Sequence, residues 1–119
     1  MPSEGPANSE EIFQVLADEY ARRILLTADQ GPITAKSLSE ACDASLTTIY
    51  RRVSVLQDYD LIEEQTSIGP DGAHRSTFET KLEGLHVDLV DGELTVDIET
   101  RDELADNFTA LWDDLRGDP

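Results

Sequence analysis

The 119-residue sequence has a single cysteine, Cys42, which excludes an internal disulfide. It has no apolar run of membrane-spanning length and no signal-peptide pattern, so a soluble, cytoplasmic protein is expected. It has no glycine-rich phosphate loop, no His/Cys/acid constellation and no serine elbow, and its carboxylates are spread along the chain; no enzyme is expected. Basic residues are scarce. Nine Lys and Arg face 26 Asp and Glu, giving a formal net charge of −17 and a pI near 4.1. Such a balance ordinarily argues against a nucleic-acid partner.

The distribution of charge reverses that inference. Residues 1–21 hold five acids and no base, residues 22–81 nine acids and seven bases, and residues 82–119 twelve acids and two bases. The bases therefore gather in the middle of the chain. The overall acidity fits a solvent of molar salt, where the Debye length is about 3 Å and self-repulsion is screened. An extreme halophile's cytoplasm is the simplest setting. A disordered acidic chain fits poorly, because apolar periodicity persists nearly throughout and the length suits one domain with a modest core.

Residues 45–62, SLTTIYRRVSVLQDYDLI, organise the rest. Ser45 is placed to cap a helix, with Ala44 ahead of it stapling onto Ile49. Leu46, Ile49, Val53 and Leu56 recur at three- and four-residue steps and predict one buried stripe, leaving Thr47, Thr48, Arg51, Ser54 and Val55 outside. Residues 46–57 contain no Asp or Glu and carry Arg51 and Arg52, a local reversal of the composition that suits contact with an anion. Residues 34–42 predict a short helix before it, capped by Thr34 and stapled by Ile33 on Leu38. Two capped helices separated by Asp43-Ala44 make a helix-turn-helix, whose second helix enters the DNA major groove.

The phrase SEACDASLTTIYRRVSVLQDYDLI resembles the winged helix-turn-helix repressors, and most of all the ArsR-type regulators of haloarchaea. The resemblance runs from about Ile12 through the wing and more loosely to the C-terminus. It implies an α+β, mainly helical fold: a three-helix bundle with a β-hairpin wing. Many ArsR-type repressors bind metal through paired cysteines on a helix. Cys42 stands alone, so no metal and no cofactor is expected; a buried thiol and a redox-sensing one both remain open.

Residues 1–8 read as a flexible N-terminus. Asn8 and Glu11 then open a helix running to Ala28, its apolar face formed by Ile12, Phe13, Val15, Leu16, Tyr20, Ile24 and Leu25, and Gly31-Pro32 closes it. Arg22 and Arg23 near its end complement the helix dipole or touch phosphate. After the recognition helix, residues 61–68 and 74–81 alternate as strands around Gly69-Pro70-Asp71-Gly72 and form the wing. A second hairpin, 85–100, turns at Asp91-Gly92 and reads as an extension of the wing sheet facing away from DNA; its His86 reads as a partly exposed strand histidine. The last helix, opened by the capping box Thr100 to Glu103, carries Leu104, Phe108, Leu111, Trp112 and Leu115 as a stripe. It pairs with a second chain or packs on its own domain.

The expected organisation is therefore a DNA-binding domain over 9–81 and a dimerisation extension over 82–119. In this reading a homodimer presents two recognition helices to a pseudo-palindromic double-stranded site. Thr47, Thr48 and Arg51 lie at base edges, Lys36, Tyr50 and Arg52 at phosphates, Arg75 anchors the wing, and the capping Ser45 belongs to the DNA-binding set with them. His74 is a wing contact or an exposed loop histidine. K+ or other cations at the interface would let affinity hold or rise in molar KCl. The competing reading is a winged-helix protein-interaction module whose acidic surfaces dock a basic partner without sequence-specific DNA binding.

Overall fold

The computed structural model describes residues 9–101. The expected N-terminal tail, the capping Asn8 and the stripe of Leu104, Phe108, Leu111, Trp112 and Leu115 lie outside the described residues.

The first apolar stretch, expected as one helix, is two: α1 spans Ser9–Ala17 and α2 Glu19–Ala28. Asp18 makes the break. Its backbone is extended (φ −76°, ψ 123°) and its carboxylate accepts the Ala21 amide at 2.8 Å, so it caps α2. Arg52 Nε donates to the same carboxylate oxygen at 2.8 Å, fixing the break against the recognition helix. Apolar spacing continues across the interruption, with Ile12 and Val15 buried before it and Ile24 and Leu25 after it. Periodicity alone therefore conceals the break.

The helix-turn-helix forms as its caps predict. In α3, Ala35–Cys42, the Ser37 amide donates to Thr34 Oγ1 at 3.1 Å; in α4, Leu46–Asp58, the Thr48 amide donates to Ser45 Oγ at 3.1 Å. Between them Asp43 takes the left-handed conformation (φ 53°) and the Ala44 amide closes onto the Ser39 carbonyl at 3.0 Å. Ile24, Leu38, Ile49 and Leu56 are fully buried where α2, α3 and α4 meet, with Val53, Leu61, Ile62 and Phe78 beside them. Ile33 and Ala44, the two expected staple residues, pack against this core. Cys42 belongs to it as well, and burial raises its pKa despite the opposing charge of Arg23, leaving a neutral thiol.

The wing pairs β1, Ile62–Ile68, with β2, His74–Thr80, antiparallel from Ile62↔Thr80 to Ile68↔His74. Its base is fastened twice. Ile33 and Phe78 exchange backbone hydrogen bonds of 3.0 and 2.8 Å, and the buried Thr80 hydroxyl donates to the Leu25 carbonyl at 2.7 Å. Its outer half is exposed.

The second hairpin, β3 (Leu82–Val90) with β4 (Glu93–Thr100), forms its own two-stranded sheet and does not extend the wing sheet. The chain leaves the wing where the amides of Lys81 and Leu82 both donate to the Leu61 carbonyl, and a register shift between Leu82 and Gly84 redirects it. One face carries Leu85, Val87 and Leu89 opposite Ile98, Val96 and Leu94. The other presents Asp88, Glu93, Asp97 and Glu99, and His86 lies exposed with Nε2 3.2 Å from Asp88. Arg101 ties the base of this hairpin to the bundle through Asp29, Glu83 (2.8 Å) and Glu79 (3.6 Å).

Candidate nucleic-acid interface

The cations of the described residues divide into two sets. Five are held inside the protein's own fold. Arg22 Nη1 donates to the Leu16 carbonyl at 2.9 Å, and Arg23 Nη1 to the Cys42 carbonyl at 3.3 Å while pairing with Glu19. Each therefore complements the C-terminal end of a neighbouring helix, α1 or α3, and not that of its own. Lys81 pairs with Asp60 at 3.1 Å, and Arg101 holds three carboxylates, the Glu83 hydrogen bond above all raising its pKa.

Arg52, expected from sequence at a phosphate, is the fifth. Its guanidinium turns toward α2 and is committed to Asp18, the pair being about two-thirds buried on both sides (33% and 29% exposed). It is a tertiary strut. A phosphate contact would require breaking a charge-assisted hydrogen bond that also steadies a helix cap.

Lys36, Arg51 and Arg75 form the other set. All three are exposed, and among the described residues none makes a hydrogen bond or ion pair. Lys36 stands in the first turn of α3, Arg51 on the outer face of α4, and Arg75 one residue past the start of β2. The chain has nearly three acids for every base, yet among the described residues these three cations have no carboxylate partner.

On the outer face of α4, Thr47, Tyr50, Arg51 and Ser54 are exposed. Thr48, expected beside them, is half-buried and occupied: its amide and hydroxyl both meet Ser45 Oγ at 3.1 Å. Ser45 and Thr48 thus build the cap at the start of α4. Leu46, expected in the buried stripe, is 46% exposed. It is the first helical residue, at the edge of the stripe, and it lies one turn before Tyr50 on the helix surface.

At the wing the Gly69 amide donates to the Ala73 carbonyl (2.8 Å), the Gly72 amide to the Gly69 carbonyl (2.9 Å) and the Ala73 amide to Asp71 Oδ1 (3.1 Å). Gly72 needs its positive φ of 80°, which a side chain would strain. Arg75 lies across from Ser67, with Nε 3.3 Å from where a Cβ on Gly69 would stand, and His74 across from Ile68. Both side chains are exposed at the tip, and Ile68, not foreseen as a surface feature, is 66% exposed there.

Among the described residues no group of three or more His, Cys, Asp or Glu side chains is gathered as a metal site, and no helix is long and apolar enough to cross a membrane.

No curated protein matches the sequence. Among solved structures, the crystal structure of an ArsR family transcriptional regulator is similar, at 21% identity and a TM-score of 0.47, covering 88% of this chain and 96% of that one. A helix-turn-helix domain family matches residues 16–65, from the end of α1 into β1. With the wing that follows, the chain carries a winged helix-turn-helix.

Proposed function

We propose that the protein is a sequence-specific regulator of transcription that binds double-stranded DNA, with α4 in the major groove and the wing over the backbone or minor groove. The observation that carries this reading is the set of three cations without partners. Lys36, Arg51 and Arg75 fall on the three parts of a winged helix-turn-helix that reach DNA: the first motif helix, the recognition helix and the wing. Arg51 can read a guanine through O6 and N7, while Lys36, Tyr50 and Arg75 hold phosphates or the minor groove and set register. His74 stands beside Arg75 as a second wing contact. Ser45 serves through the cap.

The regulator acts as a homodimer in this proposal, with 9–81 as DNA-binding domain and 82–119 as dimerisation extension. The apolar spacing of Leu104, Phe108, Leu111, Trp112 and Leu115 supports it, since a twofold molecule reads a pseudo-palindromic site about one DNA turn from centre to centre. The net charge of −17 supports a halophilic, archaeal cytoplasm and a DNA interface in which K+ screens carboxylate from phosphate.

Genome-wide immunoprecipitation of the tagged protein from its host, wild type against Arg51→Ala, tests the reading. Discrete promoter peaks sharing an inverted repeat, lost in the variant, are the expected result. Diffuse or absent peaks would move the weight to a module that docks a basic protein partner.

A further inference from the structure

The recognition helix exposes an apolar pair that neither the core nor the charge pattern accounts for. Leu46 is 46% and Tyr50 55% exposed, and neither belongs to the hydrophobic core or to the side chains packed against it. They stand four residues apart and are therefore neighbours on the helix surface, beside the equally spaced row of Thr47 and Arg51. The face consequently has two parallel rows, one apolar and one polar, both starting in the turn fixed by the Ser45 cap.

Only one base presents an apolar group to the major groove: thymine, through its C5-methyl. Resting on the DNA-binding reading above, we propose that Leu46, flanked by the Tyr50 ring, reads a thymine methyl within the same half-site in which Arg51 reads a guanine. The Tyr50 hydroxyl stays free to reach the phosphate beyond, since the ring flanks the methyl with its apolar body. Leu46 is then a specificity-determining residue, and the DNA class the protein selects carries a thymine close to the guanine in each half-site. Other leucines are more exposed, Leu26 at 68% and Leu89 at 79%; Leu46 differs in standing on the acid-free helix that carries Arg51. Contact with a methyl group removes it from water at the moment of binding.

The test begins with selection of preferred duplexes from a random pool in molar KCl, followed by replacement of each thymine in turn with deoxyuridine, which deletes only the methyl. For the wild type, one substitution per half-site should weaken binding about fourfold, the loss expected for uncovering one methyl-sized group. With Leu46→Ala the same substitution should have no further effect. Leu46→Gln should move the preferred base at that position from thymine toward adenine, whose N6 and N7 an amide can hold. Both variants alter an exposed side chain, and unchanged melting temperatures verify their folds. Indifference to every deoxyuridine, or a loss equally large in Leu46→Ala, overturns methyl reading and leaves DNA binding standing. Failure of the wild type to select any sequence overturns both.

Discussion

Arg51 and Arg52 are adjacent in sequence and opposite in use. Arg52 points back across α4 to Asp18 and fixes the break between α1 and α2, whereas Arg51 points outward with no partner among the described residues. The contrast extends over the molecule. Arg22, Arg23, Lys81 and Arg101 are consumed by carbonyls and carboxylates at helix ends and at the base of the hairpins, while Lys36 and Arg75, like Arg51, are exposed without a partner among the described residues. In so acidic a protein an unpaired cation has to be protected from neighbouring carboxylates, and the acid-free span of α4 from Leu46 to Gln57 does that for Arg51.

The sharpest way to break this comparison is to exchange the losses. Arg51→Ala should cost about 1–3 kcal/mol in preference for the selected sequence over random DNA, with an unchanged melting temperature. Asp18→Ala should do the reverse. It removes a helix cap and strands Arg52, so stability should fall by about 1–2 kcal/mol, read as a lowered melting temperature, while sequence preference among folded molecules is retained. If Asp18→Ala relaxed specificity as much as Arg51→Ala, the division between paired and free cations would fail. Arg75→Ala should have a smaller effect, weakening all sequences alike and reducing the salt slope by about one contact. The smallest expected effect concerns Cys42. Burial raises the pKa of its thiol, so the protein should resist alkylation at neutral pH until unfolded, and Cys42→Ser should leave any peroxide response unaltered.

Salt gives the comparison a second edge. A DNA binder with free cations alone weakens steeply as salt rises, because bound counterions are released. In the proposed complex the acids of the same molecule would repel the polyanion, and screening that repulsion would offset the loss. Affinity is expected to hold or rise into molar KCl. A titration with the ordinary steep decline well below molar salt would count against a cation-supported interface.

Much of this could be read from the chain because the signals are local. The Thr34 and Ser45 caps, the Asp91-Gly92 turn and the strand alternation of the wing each involve residues a few positions apart. What escaped is tertiary. Arg52 meets Asp18 across 34 positions, and no spacing rule connects them. The helix break at Asp18 was masked by apolar residues continuing on the same period, although the carboxylate three residues before Ala21 is itself a capping signal. Leu46 matched the buried stripe by spacing, yet a stripe at a helix end is covered only if a neighbour extends that far. The separate second sheet depends on the Leu61 carbonyl receiving two amides, which pattern does not reveal.

Selection from a random pool of duplex DNA in molar KCl by three proteins, wild type, Arg51→Ala and Arg52→Ala, separates the unpaired arginine from the paired one. A shared inverted-repeat motif is expected for wild type and Arg52→Ala, the latter less stable, and loss of the guanine position for Arg51→Ala. Equal loss of the motif in both variants, or no motif with the wild type, would contradict that separation.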